Sequence, residues 1–183
     1  MSTIYPHISS LLQKVCGQRA RILELGCGPR QYGKFSGNYY GIDIQHAANP
    51  PGPHILGDAQ QLPIQDQTFD AVFIIAALLL IPDTNRVLAE CHRVLCNDGI
   101  FIIFDYNWWI AKRLKRADKS HQHQFSTRQL YKHLLKVGFS PCVHRDCVPI
   151  SRNGILQYFL QYQLIRTAIY PISNWIVVSG TKK

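Results

Sequence analysis

The feature that most constrains this chain is residues 21–30, RILELGCGPR, where an apolar β-type run carries an acid, Glu24, and turns at once through Gly26 and Gly28. This is the signature of a buried parallel strand ending at a helix N-terminus. Two glycines at such a turn let a ligand lie directly against the backbone. In doubly wound α/β folds the ligand crevice lies outside the carboxyl ends of the strands. The pattern therefore predicts a site at residues 24–30. Paired glycines also serve turn geometry alone, so the rest of the chain has to support the reading.

It does so element by element. Residues 39–44, YYGIDI, read as a second strand carrying Asp43, nineteen residues after Glu24. An acid at that distance is suited to gripping ribose hydroxyls. Gly57-Asp58-Ala59 follows, and then FDAVFII at 69–75, a near-continuous apolar run of the kind buried on both faces of a sheet. Residues 83–95 have helical periodicity, with Val87, Leu88, Cys91, Val94 and Leu95 on one side. Asn97-Asp98-Gly99 predicts a turn into the strand GIFIIFD at 99–105. Further on, 126–138 reads as a helix with Ser126 or Thr127 as N-cap and Gly138 as its stop. Residues 141–148 and 174–180 read as the last two strands.

The order ELGCG, GIDI, GDAQQLPIQDQTFDAVF, a helix ending RVL before NDG, and another strand resembles the class I S-adenosylmethionine-dependent methyltransferases, most of all the small type 11 group. The resemblance covers roughly residues 20–140, and NWIVVSGTKK is similar to the family's closing strand. It implies a single Rossmann-like α/β domain over 1–183. The sheet would be seven-stranded and mostly parallel, with an antiparallel C-terminal strand. A cofactor half would span 20–105, a lid 106–125 and a C-terminal half 126–183.

It also implies S-adenosyl-L-methionine as cofactor. That molecule presents an ammonium, a carboxylate, a ribose diol and an adenine, and carries no phosphate. By resemblance, Glu24 orients the amino-acid end, and the backbone of Gly26, Cys27 and Gly28 lies under the methionine portion. Asp43 accepts the ribose hydroxyls, with Ile44 beside it. Asp58 accepts from the adenine amino group while the Ala59 amide donates to the ring. Ala76, after the fourth strand, completes the set. Asp43 and Asp58 could instead be turn or cap residues.

Departures from the family pattern are informative. Arg30 stands where the first motif commonly has a third glycine, facing either the cofactor carboxylate or water. Leu79 and Leu80, in LLLIPD, replace a Glu-His pair near the transferable methyl. Only residues 7–16 could form a helix before the first strand, so the lid expected there is minimal. As proton acceptors the positions suggest Asp105, Tyr106 and His123, at or beyond the end of the fifth strand.

Rival functions fare less well. A dinucleotide dehydrogenase needs the third glycine of GxGxxG, and here Gly33 falls seven residues after Gly26, not five. Base amino-group methylases carry an acid or Asn followed by Pro-Pro-aromatic after the fourth strand, where this chain has Ala76-Ala77-Leu78-Leu79. A small-molecule acceptor is therefore the preferred partner, over nucleic acid.

Ten of the chain's 20 Lys and Arg residues lie in 105–152 against three acids, concentrating the net charge of +9. Trp108 and Trp109 flank that basic run. An anionic-substrate lid, a nucleic-acid surface, an anionic membrane surface and a solvated helix are all open readings for it. Residues 154–170, with Arg166 as their one charge, read as core, dimer contact, pocket wall or interfacial helix. Monomer and homodimer are both open.

The six cysteines show no CxxC pair, and no metal site is expected. Residues 1–20 carry no apolar h-region, so a cytoplasmic location is expected.

Overall fold

The computed structural model describes residues 21–28, 38–45, 53–106, 125–143 and 175–183. The expectations for the N-terminal helix, the basic run at 107–124, and residues 154–170 lie outside these. The sheet has seven strands: β1 Arg21–Leu25, β2 Asn38–Asp43, β3 His54–Leu56, β4 Phe69–Ile75, β5 Leu95–Tyr106, β6 Phe139–Val143 and β7 Trp175–Lys182. Their order across the sheet is β3-β2-β1-β4-β5-β7-β6. The first five are parallel, while β7 runs antiparallel to both β5 and β6. This is the mostly parallel α/β sheet anticipated from the sequence.

The central strands carry continuous apolar runs because both faces are covered there. Ala71, Val72, Phe73 and Ile74 of β4 are fully buried, as are Phe101 to Phe104 of β5. Two helices pack side by side, α1 Thr84–Val94 and α2 Thr127–Val137. His133 Nδ1 of α2 lies 3.0 Å from Asn85 Oδ1 of α1, and His92 sits edge-on to Phe139.

Local chemistry sets the ends of both helices. The Asp83 side chain caps α1 by accepting from the Arg86 N–H at 3.1 Å. Ser126 and Gln129 form a reciprocal capping box on α2, and Gly138 closes that helix at φ 107°. Among the described residues no helix is long and apolar enough to cross a membrane.

Two strands start well ahead of the sequence reading. Strand β5 begins at Leu95, not at 99, because Leu95 pairs with Phe69 across an irregularity in the ladder. The expected turn survives as a kink inside the strand, with Asp98 at φ 62°. The Lys182 ammonium, 8% exposed, donates to the Leu95 carbonyl at 2.8 Å. Strand β6 begins at Phe139, where the pattern suggested 141, because Phe139 pairs with Lys182.

Candidate functional site

The register of the parallel strands builds the site. Leu25 of β1 pairs with Ile42 of β2 and with Ile74 of β4, so the three carboxyl ends finish at one level. Immediately past Leu25 the Gly26 and Cys27 amides both donate to the Ile42 carbonyl, at 2.9 and 3.3 Å. The chain then folds back across β2, and the Gly28 amide donates to Asp43 Oδ2 at 2.8 Å. Asp43 Oδ1 accepts from Gln45 N–H at 2.9 Å, and the Gly57 amide donates to the Asp43 carbonyl at 2.9 Å. Three connecting loops are thereby tied to one another around a cleft of about 610 Å³. That volume falls within the roughly 300–1,000 Å³ typical of small-molecule sites.

The two glycines have different reasons to be glycine. Both have positive φ, 64° at Gly26 and 59° at Gly28. A Cβ on Gly26 would lie 2.5 Å from the Ala77 Cβ, so this residue is small because the β4 loop packs on it. Among the described residues, nothing lies within 4 Å of a Cβ placed on Gly28. Space for a ligand against backbone therefore opens at Gly28, while Gly26 is filled by protein.

Of the residues singled out in the sequence, Gly26, Cys27, Gly28, Asp43, Ile44, Asp58, Ala59 and Ala76 all line this cleft. Ala76, at φ 51°, turns the chain out of β4 while its amide donates to the Phe104 carbonyl at 2.8 Å. Glu24 is fully buried behind the cleft and is not among the residues lining it. The Tyr39 hydroxyl donates to Glu24 Oε2, and the Tyr39 ring stacks on Phe73 at 6.1 Å. Gly41 is the partner of Glu24 in the ladder.

Asp105 is 3% exposed, pairs with Ile176, and does not line the cleft. The backbone of Tyr106 pairs with Trp175. The side chain of Tyr106 and all of Arg30 and His123 lie outside the described residues.

The cleft wall holds residues that the sequence reading did not single out for the site, among them Gln60, Ala77 and Pro82. The Asp58 carboxylate accepts from the Gln60 backbone N–H at 2.8 Å, a turn that an Asp two residues ahead favours. That is the local signal for Gln60. Leu80 and Ile44 also face the cleft, at 46% and 70% exposure. Two large apolar side chains left open to water give the cleft an apolar rim. Leu79, by contrast, is buried.

The loop bearing Asp58 is clamped from below. Glu90 Oε2 accepts the Leu62 N–H at 2.7 Å, and Arg93 donates to the Leu62 and Ile64 carbonyls at 3.1 and 2.7 Å. Arg93 also pairs with Glu90 and Asp66, each at 2.7 Å. The hydrogen bonds from Arg93 hold the Glu90 carboxyl below the usual carboxylate range, against the opposing effect of burial.

Within the cleft, burial first, and then the charges of Glu24 and Asp43, push the Cys27 thiol up to about 12. It is therefore a protonated, inert group at neutral pH. Among the described residues no group of three His, Cys, Asp or Glu side chains could hold a metal ion.

Residues 23–103 match the family model of the methyltransferase domain. The chain is 30% identical over 159 residues to a phthiotriol/phenolphthiotriol dimycocerosates methyltransferase of Mycobacterium ulcerans, covering 78% of this chain and 58% of that protein. It spans about half the length of the curated relatives it matches, 52% and 58% of two of them. Its fold superposes on an S-adenosylmethionine-dependent methyltransferase from Mesorhizobium loti with TM-score 0.72 at 16% identity, covering 99% and 98% of the two chains. A Burkholderia thailandensis 1,6-didemethyltoxoflavin N1-methyltransferase, solved with that substrate and S-adenosylhomocysteine, gives TM-score 0.67 at 17% identity, covering 99% of this chain and 79% of the other.

Proposed function

Because the chain belongs to the class I S-adenosylmethionine-dependent methyltransferases, we propose that its cleft holds S-adenosylmethionine and that the protein methylates a small-molecule acceptor with apolar character. The observation that carries this reading is the convergence of Asp43, Asp58 and the open backbone of Gly28 on one cleft at the carboxyl ends of β1, β2 and β4. That set of acceptors and open backbone fits the cofactor. Each carboxylate oxygen has room for about two hydrogen bonds, and each oxygen of Asp43 accepts one from the backbone, so capacity is left for a diol. Gly28 leaves space for the amino-acid portion.

The bound group supplies a methyl already activated by a positive sulfur. The protein's part is then chiefly alignment, which offers effective molarities of about 10⁵–10⁸ M. Ile44 and Leu80 form apolar walls that favour a hydrocarbon-rich acceptor and displace water from it. If the acceptor carries a proton, our candidates to receive it are Tyr106 and His123, since Asp105 does not line the cleft.

Leu79 and Leu80 support a second reading, a cofactor-binding relative that needs a partner for turnover, because hydrocarbon stands where a titratable pair is common.

Calorimetric titration with S-adenosylhomocysteine, followed by methyl transfer from labelled cofactor to a panel of apolar and anionic small molecules, tests the proposal. Saturable binding and label in an apolar acceptor are expected. Absence of both heat and thermal shift from folded protein overturns it. Binding without transfer to any acceptor favours the second reading.

A further inference from the structure

The Gln60 side chain makes contacts that neither turn geometry nor core packing requires. Its Oε1 accepts the Asp83 backbone N–H at 3.0 Å. Only a carbonyl oxygen can do this, so the amide has one orientation, with Nε2 pointing the other way. Nε2 meets both oxygens of the Asp58 carboxylate, at 3.2 Å to Oδ1 and 3.0 Å to Oδ2. Oδ1 also takes the Gln60 backbone N–H at 2.8 Å. With about four acceptor positions on a carboxylate, Oδ1 is filled and Oδ2 has one position left. Asp58 and Gln60 both line the cleft.

We infer that Gln60 is a specificity-determining positioning residue. It holds Asp58 as an oriented acceptor with a single open position, which selects a ligand base carrying an exocyclic amino group and rejects one carrying a carbonyl there. The inference rests on the cofactor reading above and deepens it. The physical reason is asymmetric. An N–H donor satisfies the open lone pair, whereas a carbonyl oxygen would leave two acceptors facing each other with no proton between them. Without the Gln60 amide, Asp58 keeps only the backbone N–H on Oδ1, Oδ2 loses its fixed partner, and the distinction fades. The anchor for the amide is the backbone of Asp83, the residue that caps α1. Selection is thus fastened to a helix and not to a free loop.

The test compares S-adenosylhomocysteine with S-inosylhomocysteine, which has a carbonyl in place of the amino group, by calorimetry on the full chain. The wild-type protein is expected to prefer the adenosyl compound by at least about thirtyfold, and Gln60→Ala to shrink that ratio by about tenfold. Gln60→Glu supplies a readout that a merely structural role would not move. Two facing carboxylates at pH 8 repel, whereas a shared proton near pH 5 restores a donor to Asp58. The preference of this variant should therefore climb as pH falls, relative to wild type.

An unchanged ratio in Gln60→Ala, or a pH-independent ratio in Gln60→Glu, overturns the inference while leaving cofactor binding intact. Failure of wild-type protein to bind S-adenosylhomocysteine overturns the cofactor reading, and this inference with it.

Discussion

The Gly28 amide donates to the Asp43 carboxylate at 2.8 Å, joining the loop after β1 to the end of β2. One carboxylate thus shapes the turn that opens the cleft and also faces the cleft itself.

Removing that carboxylate should have two separable effects. Asp43→Ala is expected to weaken S-adenosylhomocysteine binding about 10–100-fold, since hydrogen bonds to a charged acceptor are worth about 1.5–3 kcal/mol. It should also lower thermal stability modestly in the absence of ligand, because the Gly28 and Gln45 amides lose their acceptor. Calorimetry and a melting curve read the two effects independently. Unchanged affinity would remove Asp43 from the site.

The two glycines should respond to substitution in different ways. Gly26→Ala meets the Ala77 Cβ at 2.5 Å on a backbone of φ 64° and should cost about 1–3 kcal/mol of stability. Adding Ala77→Gly should recover part of that loss. Gly28→Ala carries only the strain of its φ, roughly 1 kcal/mol, but intrudes where ligand is expected, so affinity falls more than stability does. Urea unfolding of the single and double variants measures the coupling.

Arg93 holds the Asp58 loop through the Leu62 and Ile64 carbonyls while pairing with Glu90 and Asp66. Arg93→Ala should destabilise the protein by about 1–3 kcal/mol, since the half-buried Glu90 loses its main partner. Chemical denaturation gives the figure. A change below about 0.5 kcal/mol would mean that the loop is held by other contacts.

Acid should act in two windows. Burial, and then the charge of Lys182, lowers the His92 pKa from 6.5, so the unfolded chain takes up the proton first. Stability therefore declines as pH falls below about 6.5 until the folded-state value is reached. Substituting His92 with Gln should flatten the urea midpoint between pH 7 and 5. A second decline belongs to Glu90 and Asp70, whose folded values lie below 4.5 and 3.8. Their contribution is full above those values and is lost as pH drops through the depressed ones. A midpoint that does not change from pH 7 to 3 would contradict both assignments.

The parallel core, the capped helix at Ser126–Gly138, and the loops carrying Gly28, Asp43 and Asp58 were legible in the residue order alone. Strand periodicity, capping chemistry and glycine's access to positive φ are properties of short segments, so a local pattern reports them. Three facts needed the fold. Gly26 is small because of Ala77, which lies 51 positions away along the chain and packs against it. Glu24 is fully buried off the cleft lining and takes the hydroxyl of Tyr39, a residue of the neighbouring strand. Asp58 keeps one open acceptor position because Gln60 is anchored on Asp83, 23 residues on. Burial and the occupancy of a lone pair are set by neighbours brought together across the sheet, and those distances exist only after the chain has folded.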